Sequence, residues 1–441
     1  MMSQKLPSSL LNKIQTTQAK VGVIGLGYVG LPLAVEFAKK GYPTVGIDLD
    51  QKRVRQINAG KSYIPDISSE EVSRLVDSGC LKATHHFSVL SQLDAVIICV
   101  PTPLRKTREP DVSYIVSAAE SLAKYLHRHQ VIILESTTYP GTTEEVILPM
   151  LEATGLKVGR DFFLGFSPER IDPGNPTYMT TNIPKVVSGV TPACRQAVQA
   201  LYGSVIQKVI PVSSTRVAEM VKLLENTFRS VNIGLVNELA LMCHRMGVNV
   251  WEVIEAAKSK PFGFMAFYPG PGLGGHCIPI DPLYLSWKAK LYGFEARFIE
   301  LASQINGAMP EYVVDRVAQA LNGEGQAVKN ASVLVIGVAY KRDVGDMRES
   351  PALEIIHLLR KAGAKVRFHD PFVPELNIDG LRLRSVPLTP AALRGSDCAV
   401  IVTDHRSIDY AQIVLNAPLV LDTRNVLNPL RARRRAKVLT L

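Results

Sequence analysis

A single cysteine lies in a loop rich in glycine and proline, PGPGLGGHCIPID at residues 269–281. Such a loop is costly to order, because each glycine loses extra backbone freedom on folding, and this composition is typical of a ligand or reaction site. An isolated Cys277 is more often a buried structural thiol than a nucleophile. Whether it is a nucleophile depends on the partners that the rest of the chain supplies.

A dinucleotide-binding pattern stands near the start of the chain. An apolar segment leads into Gly25, Gly27 and Gly30 in the order GxGxxG, and a helical segment and a second apolar segment ending at Asp48 follow. The glycines allow the backbone to approach a pyrophosphate at the helix N-terminus. A carboxylate at Asp48 accepts hydrogen bonds from an adenosine ribose and repels a 2′-phosphate. The sequence therefore predicts a domain that binds NAD rather than NADP.

A second unit of the same type begins at Ala331, with Gly337 after its first strand and Asp370 after its second. Its glycine fingerprint is replaced by a longer, charged segment that carries Lys341, Arg342, Asp343, Asp346, Arg348 and Glu349. Ligands collect at the carboxyl ends of parallel strands. We expect a ligand other than a second dinucleotide here; a structural domain with solvated loop charges is the alternative.

Between these units, residues 214–246 show apolar residues at helical spacing over about thirty positions, which predicts one long helix. The apolar positions are Val217, Met220, Val221, Leu224, Phe228, Val231, Leu235 and Leu239. Lys222 and Asn226 share one face of this helix, because they are four residues apart. The predicted fold is α/β: two Rossmann-like, doubly wound parallel-sheet domains joined by a long central helix. The predicted domains are residues 1–212, 213–324 with the cysteine loop, and 325–441.

These features together favour a reaction that needs a thiol. Oxidation of an alcohol to an aldehyde needs a proton acceptor and a hydride acceptor, but an aldehyde gives up hydride poorly. Addition of a thiolate gives a hemithioacetal, which can pass a second hydride to NAD and leave a thioester for hydrolysis. Cys277 is therefore predicted to carry an acyl intermediate.

Composition and charge restrict the cellular location and the binding partners that the sequence predicts. The formal net charge is +10, which suits anionic small molecules, and the basic segment at residues 431–437 is expected to be a solvated terminus rather than a nucleic-acid tail. The N-terminus has no apolar core typical of a signal peptide, no apolar run is long enough to span a membrane, and the six cysteines form no CxxC pair. We expect a cytoplasmic protein with no metal, no membrane attachment and no nucleic-acid partner.

The chain resembles the UDP-sugar 6-dehydrogenases of the UDP-glucose/GDP-mannose dehydrogenase family from Gly25 to Arg424. The resemblance rests on GLGYVGLPLA, STTYPGTT, SPERIDPGN, EMVKLLENTFRSVNI, GGHCIPIDP and GVAYKRDVGDMRESPA. It implies NAD-dependent oxidation of the C6 alcohol of a nucleotide sugar to a carboxylate, with two NAD per turnover, for surface polysaccharide precursors such as those of lipopolysaccharide O-antigen. His276 and its surroundings are most similar to the N-acetylhexosamine branch, so UDP-N-acetylglucosamine is the expected substrate, with UDP-glucose as the alternative.

The resemblance also implies catalytic roles. Cys277 is the nucleophile, and Lys222, together with Asn226, polarises the C6 oxygen and stabilises negative charge. Asp281 takes up a proton or orients water. Glu169 takes part in thioester hydrolysis, and Thr137 holds the same water.

Binding positions follow in the same way. NAD is expected at Gly25, Gly27, Tyr28, Val29, Gly30, Asp48, Arg53, Val100, Pro101, Thr102, Ser136 and Arg348. The UDP-sugar is expected at Glu169, Arg170, Lys222, Asn226, Tyr268, Gly274, Lys341 and Arg424. The family pairs its subunits along the central helix, so a homodimer or larger homo-oligomer is expected. A basic residue donated from the neighbouring subunit has Lys258 and Lys260 as candidates.

Two other classes of protein stay open. One is a two-electron, NAD-dependent hydroxyacid dehydrogenase, which also uses a Lys and an Asn on a long helix but needs neither Cys277 nor a phosphate-binding third domain. The other is a catalytically inactive nucleotide-binding or regulatory protein, against which the intact Cys277, Lys222, Asn226, Asp281 and Glu169 argue.

Overall fold

The computed structural model describes residues 6–64, 66–105, 109–171, 177–275, 277–433 and 435–441. His276, part of SPERIDPGN and Arg434 of the basic segment therefore lie outside the described residues. The chain forms two compact units. The first comprises the described part of residues 1–225 together with Trp287–Phe294, and the second comprises Asn226–Ser286 and Glu295–Leu441.

A six-stranded parallel sheet organises the first unit, in the order β3-β2-β1-β4-β5-β6. Its strands are β1 (Val21–Ile24), β2 (Thr44–Ile47), β3 (Leu81–Thr84), β4 (Ala95–Ile98), β5 (Val131–Leu134) and β6 (Phe163–Phe166). A separate parallel pair consists of β7 (Lys185–Val187) and β8 (Val209–Pro211). The order reverses between β1 and β4, which is where doubly wound folds bind their ligands.

Helices cover both faces of this sheet. They are α1 (Ser8–Gln15), α2 (Gly30–Lys39), α3 (Gln51–Asn58), α4 (Ser69–Asp77), α5 (Ser113–Tyr125), α6 (Leu148–Glu152) and α7 (Pro192–Gly203), with a 3₁₀ turn at Phe87–Gln92 and a π-helical turn at Thr143–Ile147. Successive strand residues point to opposite faces. Val21 and Val23 accordingly lie in one buried cluster and Ile24 in another, which explains why the strands read as continuous apolar runs.

The central helix α8 (Thr215–Met246) is 32 residues long, as the sequence predicts. It begins in the first unit and ends in the second. Many of its buried positions are small or polar, including Ala218, Glu219, Gly234, Asn237 and Ala240, and Leu223 and Val236 are buried as well. Most of the apolar stripe recognised in the sequence is exposed within one chain, at Val217, Met220, Leu224, Phe228 and Leu235. These five residues therefore contribute little to the core of this chain, whereas Val221 and Leu239 of the same stripe pack against buried clusters.

The second unit contains a five-stranded parallel sheet in the order β10-β9-β13-β14-β15. The strands are β9 (Ser332–Ile336), β10 (Lys365–His369), β13 (Cys398–Ile401), β14 (Leu419–Asp422) and β15 (Lys437–Thr440), and an antiparallel pair is formed by β11 (Glu375–Ile378) and β12 (Leu381–Arg384). This order reverses between β9 and β13, so the unit is doubly wound with its own ligand crevice. The predicted fold class is confirmed.

The remaining helices belong to the chain from residue 250 onwards. They are α9 (Val250–Lys258), α10 (Asp281–Lys290), α11 (Arg297–Asn322), α12 (Pro351–Lys361), α13 (Pro390–Arg394) and α14 (Tyr410–Asn416), with a 3₁₀ turn at Asn428–Arg433. Two buried clusters cover the two faces of the second sheet, as in the first unit. None of the helices in the described residues combines the length and apolar content that a membrane crossing needs.

Candidate functional site

The dinucleotide loop is built on contacts that only glycine permits. Gly25, directly after β1, has φ +90°, and a Cβ atom there would lie 2.5 Å from the carbonyl oxygen of Cys99. A Cβ on Gly30, the first residue of α2, would lie 1.8 Å from the carbonyl oxygen of Gly25. Gly27 has open space where its Cβ would be. Gly25 and Gly30 are thus required by packing, whereas Gly27 leaves room for a ligand, which fits a pyrophosphate against the N-terminus of α2.

Asp48 does more than the sequence indicated. Its Oδ2 accepts a hydrogen bond from the backbone N–H of Leu26 at 2.8 Å, so the carboxylate holds the glycine loop in place. Its Oδ1 accepts from the N–H of Asp50 at 2.8 Å, and the Arg53 guanidinium lies 3.4 Å from Oδ2. Arg53 also lies over the Tyr63 ring, 5.7 Å from its centroid. Asp48 and Arg53 are therefore adjacent at the end of β2, as an adenosine site requires.

Other residues expected at NAD lie at the carboxyl ends of the neighbouring strands. Val100, Pro101 and Thr102 follow β4, and Ser136 follows β5. The Ser136 hydroxyl donates to the carbonyl of Val100 at 2.8 Å, which fixes the two strand ends to each other. Tyr28 is exposed in the loop before α2. Because these positions flank the β1–β4 reversal point, they surround the expected dinucleotide site.

A buried carboxylate of α8 holds the turn after β5, which sequence reasoning did not identify. Glu219 accepts hydrogen bonds from the N–H of Gly141 at 2.6 Å, the N–H of Thr143 at 3.0 Å and the Thr143 hydroxyl at 2.7 Å. Burial raises the pKa of Glu219 to about 7, although the three donors favour its ionised form. Glu219 thus connects the central helix to the turn that follows Ser136 and Thr137.

Glu169 lies in a buried cluster of charged groups. Its Oε1 accepts from the backbone N–H groups of Arg170 at 2.7 Å and Ile171 at 2.6 Å, and its Oε2 is 3.3 Å from the Lys185 Nζ. Lys185 also donates to Glu135 at 2.7 Å, and the Tyr202 hydroxyl donates to the other oxygen of Glu135. We call these four residues, Glu135, Glu169, Lys185 and Tyr202, the Lys185 cluster. Only Glu169 among them was identified from the sequence. A lysine inside an apolar strand and an acid directly after one were the available signals.

Burial alone would raise the pKa of Glu169, but Lys185, the contact with Glu135, the Ile171 N–H and the more distant Lys222 ammonium together hold it below its usual value. Burial raises the pKa of Glu135, and the neighbouring Glu169 raises it further, although the Lys185 ammonium acts in the opposite direction. Arg170 donates to the Pro184 carbonyl at 2.8 Å and pairs with Glu225. The first unit therefore presents Glu169 as a carboxylate.

In the second unit, the cysteine loop leads directly into a helix. The Cys277 carbonyl accepts from the N–H groups of Ile280 at 3.1 Å and Asp281 at 2.8 Å, and α10 begins at Asp281. The Asn226 amide donates to the buried Asp281 carboxylate at 2.5 Å. Three residues predicted to be catalytic, Cys277, Asn226 and Asp281, are thus connected within this unit, while Thr137, Glu169 and Lys222 belong to the first.

The glycines of this loop allow it to pack closely on the charged segment after β9. A Cβ on Gly274 would lie 2.7 Å from the Tyr340 Cβ, and one on Gly275 would lie 2.8 Å from the Tyr340 ring. The Gly275 N–H donates to the Arg348 carbonyl at 2.9 Å. A Cβ on Gly270 would lie 2.7 Å from an Arg424 guanidinium nitrogen. The glycines therefore place the cysteine loop against the loops of the second crevice.

The charged side chains of this crevice have defined partners. Arg424 donates through Nε to the Val402 carbonyl at 2.8 Å, and burial lowers the pKa of its guanidinium to about 10, so it stays charged at neutral pH. The Arg348 guanidinium pairs with Asp346, and Lys341 lies half-buried in the same segment. Arg348 is thus held within its own segment.

Tyr268 directly precedes the cysteine loop and is exposed. Its ring stacks on Trp251 at a centroid distance of 6.2 Å, and its hydroxyl donates to Glu255 of α9 at 2.7 Å. Lys258, a candidate for donation across subunits, lies 3.3 Å from the same hydroxyl, and Lys260 lies over the Phe262 ring. These contacts place Tyr268 and the two lysines on an exposed part of the second unit.

Asp370 explains why the second crevice differs from the first. It stands after β10, as Asp48 stands after β2, and its Oδ2 accepts from the N–H groups of Val338 at 2.7 Å and Ala339 at 3.0 Å. The buried His405 contacts the same oxygen at 3.0 Å, and the other oxygen accepts from the Phe372 N–H at 2.8 Å. Each carboxylate oxygen of Asp370 is thus engaged by the protein itself, whereas Asp48 leaves more capacity for a ribose.

Comparison with known proteins identifies this combination. The dinucleotide loop and the two doubly wound units are those of an NAD-dependent dehydrogenase with a separate nucleotide-binding domain. Residues 19–206 match the NAD binding domain, 216–308 the central domain and 334–429 the UDP binding domain of one family. The chain belongs to the UDP-glucose/GDP-mannose dehydrogenase family and is an NAD-dependent UDP-sugar dehydrogenase.

Similar proteins act on different sugars. The chain is 40% identical over 356 residues to a UDP-N-acetyl-D-glucosamine 6-dehydrogenase of Pseudomonas aeruginosa, covering 80% of this chain and 83% of that protein. It is similar to the solved UDP-D-ManNAc dehydrogenase of Pyrococcus horikoshii, with a TM-score of 0.84, 36% identity and coverage of 92% and 95%. A UDP-glucose dehydrogenase structure from Pyrobaculum islandicum gives a TM-score of 0.82 at 27% identity, covering 95% and 96%. The predicted family, enzyme class and NAD cofactor are confirmed.

The glycine contacts predict different effects for two neighbouring substitutions. Gly27→Ala places a methyl group in open space, so the unfolding free energy should change by no more than about 0.5 kcal/mol. NAD binding should nevertheless weaken by about tenfold, because the methyl group occupies the approach of the pyrophosphate. Gly30→Ala should destabilise the protein by about 1–3 kcal/mol through overpacking. Calorimetric titration with NAD and thermal unfolding measure the two effects; equal behaviour of the two variants would contradict this division.

Glu219 predicts a pH-dependent stability. Its pKa is about 7 in the folded chain, against about 4.3 for an unperturbed glutamate, so its proton stabilises the folded state at low pH. That contribution is complete below about pH 4.3 and is lost as the pH rises through about 7. Glu219→Gln cannot titrate, so the difference in unfolding free energy between variant and wild type should move in favour of the variant from about pH 4.5 to about pH 8. Thermal unfolding across this range, with exposed Glu120→Gln as the control, tests this; a constant gap would contradict it.

Proposed function

We propose that this protein oxidises the C6 alcohol of a UDP-N-acetylhexosamine, with UDP-N-acetylglucosamine as the best candidate, to the uronic acid by two successive NAD-dependent steps on Cys277. The observation that carries the proposal is the position of Cys277. It lies one turn before α10, in a loop that packs through glycines on the switch-point segment of the UDP-binding unit, with Asp281 and Asn226 hydrogen-bonded beside it. A two-electron hydroxyacid dehydrogenase has no use for a thiol at this position.

The reaction conserves atoms and electrons through the cysteine. The first hydride leaves C6 and gives an aldehyde, and the Cys277 sulfur then bonds to C6 to form a hemithioacetal. NAD supplies the hydride acceptor at both oxidations. Loss of the second hydride gives a thioester, and water cleaves its C–S bond to release the carboxylate and regenerate the thiol. The chain therefore needs to bind the nucleotide, stabilise negative charge on the C6 oxygen and position water.

Residue roles are proposed on the same basis. Lys222 supplies a positive charge, and Asn226 supplies an amide that is oriented by Asp281. Asp281, which is buried at the start of α10, takes up a proton or orients water. Glu169 and Thr137 position the water for hydrolysis. Arg424 and Lys341 bind the UDP phosphates, because a guanidinium that stays charged in a half-buried setting suits a phosphate.

The names of similar proteins bear on which sugar is the substrate. Proteins named for UDP-N-acetylglucosamine, UDP-N-acetylmannosamine and N-acetylgalactosaminuronic acid stand at 40%, 36% and 35% identity, so an N-acetylated hexosamine is favoured over glucose. The choice of acetamido sugar depends on pocket shape. UDP-glucose is the second candidate, supported by the TM-score of 0.82 to a UDP-glucose dehydrogenase. A product of this type serves polysaccharide synthesis, for which we propose a cytoplasmic location.

Counting NADH tests the reaction. Purified protein with NAD and each of UDP-GlcNAc, UDP-GalNAc, UDP-ManNAc and UDP-glucose should form two NADH per sugar consumed with its preferred substrate. Cys277→Ser should abolish carboxylate formation and leave NAD affinity unchanged, while Cys80→Ser, another half-buried thiol, should behave as wild type. One NADH per sugar would indicate the two-electron reaction, and undiminished carboxylate from Cys277→Ser would exclude an acyl intermediate.

We also propose that the exposed stripe of α8 joins two copies of the chain. Val217, Met220, Leu224, Phe228 and Leu235 follow one helix at intervals of three, four and seven residues, and each is more than a third exposed. An apolar stripe of this length on one helix is typical of an interface between subunits. The stripe is also continuous along a helix that reaches both units.

Leu224 gives the sharpest test of the dimer, because it is 60% exposed within one chain. Leu224→Glu should convert a particle of two 48.3-kDa chains to one chain in size-exclusion chromatography with light scattering. Leu415→Glu, on the surface of α14, serves as the matched control and should remain dimeric. A monomeric wild type, or a dimer that persists in Leu224→Glu, would contradict the proposed interface.

A further inference from the structure

Four titratable side chains meet inside the first unit, and three of them have no role in the reaction as proposed. The four residues of the Lys185 cluster come from different elements: Glu135 follows β5, Glu169 follows β6, Lys185 is in β7 and Tyr202 is in α7. Tyr202 is fully buried, Glu135 is 1% exposed, and Lys185 and Glu169 are below a tenth exposed. Charged groups this deeply buried are costly unless they are paired, so their arrangement requires an explanation.

The cluster holds one positive charge against two carboxyl groups. Lys185 Nζ lies 2.7 Å from Glu135 Oε1 and 3.3 Å from Glu169 Oε2, so one ammonium holds both carboxyl groups next to each other. Two buried carboxyl groups that contact one ammonium bind a proton between them, because adjacent buried anions repel. With one proton and one ammonium, the cluster is neutral overall.

The hydrogen bonds decide which carboxyl group is ionised. Glu169 Oε1 accepts from two backbone N–H groups, and its Oε2 faces the ammonium. Glu135 has one contact with Lys185 and one with the Tyr202 hydroxyl. The donors around Glu169 stabilise its anion more strongly, so Glu135 keeps the proton. Other groups facing the pair are Lys222 of α8, which acts on Glu169, and the Cys99 thiol after β4.

We propose that Lys185 is a positioning residue for thioester hydrolysis, holding Glu169 ionised and fixed so that its carboxylate can orient the attacking water. The proposal rests on the function proposed above. Each carboxylate oxygen has two lone pairs, so Oε2 can accept from a water as well as from Lys185. In this step a water oxygen bonds to the acyl carbon and the C–S bond breaks. One water proton returns to the sulfur and the other leaves with the carboxylic acid, so no electrons are transferred.

Replacing Lys185 by Met tests this role, because Met has similar length and no charge. Without the ammonium, Glu169 should take up a proton more readily, and hydrolysis should slow by about tenfold or more while both hydride transfers persist. Rapid mixing should then show a burst of two NADH per site followed by a slow phase, and intact-mass measurement should show an acyl adduct on the protein. The acid limb of the kcat–pH profile should move to higher pH by about one unit or more.

Two controls separate charge from general damage. Lys157→Met removes an exposed lysine of the same unit and should match wild type in burst, steady state and pH profile. Glu135→Gln perturbs the cluster without changing its charge in the acid range, so its acid limb should stay at the wild-type position. If both cluster variants shift the acid limb equally, the effect is structural and the proposal is overturned.

A third variant keeps the test valid if Lys185→Met does not fold. Lys185→Arg retains the charge, so its acid limb should remain within a few tenths of a unit of wild type, and a shift of about one unit would overturn the proposal.

Failure of the proposed function and failure of the proposed role of Lys185 give different results. If wild type gives fewer than two NADH per sugar with every UDP-hexose, the proposed function fails. If wild type gives two and Lys185→Met equals Lys157→Met, only the role of Lys185 fails.

Discussion

Close contact between glycine and neighbouring backbone at the carboxyl ends of the parallel strands is the constraint on which both nucleotide-binding units depend. In the first unit, Gly30 lies so close to Gly25 that a Cβ atom on Gly30 would be 1.8 Å from the Gly25 carbonyl oxygen. In the second unit, a Cβ on Gly337, which has φ +80°, would lie 2.1 Å from the Thr403 carbonyl. These contacts draw each crevice loop against its sheet. The cysteine loop follows the same principle, since Gly274 and Gly275 bring its backbone against Tyr340.

A carboxylate at the end of the second strand completes both loops but leaves different surfaces. Asp48 accepts one hydrogen bond from the glycine loop, at the Leu26 N–H, and lies next to Arg53. Asp370 accepts hydrogen bonds from two N–H groups of its loop and also contacts the buried His405. One sequence pattern thus serves two purposes. In the first unit the acid is available to a ribose, and in the second it is part of the fold, which is consistent with the proposal that cations such as Arg424 bind the phosphates.

The fold could be predicted from sequence because its signals are local. The glycine fingerprint, the apolar strands and the spacing along α8 each lie within a short stretch, and the family motifs fix their order. What could not be predicted depends on residues far apart in the chain. Glu135 and Lys185 are 50 residues apart, and Glu219 meets Gly141 across 78 residues. Nor could the spacing on α8 show which apolar residues are buried, because the neighbouring Leu223 and Leu224 are fully buried and 60% exposed, respectively.

The buried charges also bear on why the first unit carries more than an NAD site. A buried ion pair is often no more stabilising than apolar residues of the same volume, so stability alone is a weak reason to retain Lys185 and Glu135. A fixed anion is different, because it must be held ionised and oriented against the cost of desolvation. Backbone N–H groups at Arg170 and Ile171 do part of this for Glu169, and Lys185 completes it from the opposite side. Tyr202 and Glu135 then hold Lys185 in place, so the charge of Glu169 is set by groups outside the expected contact with substrate.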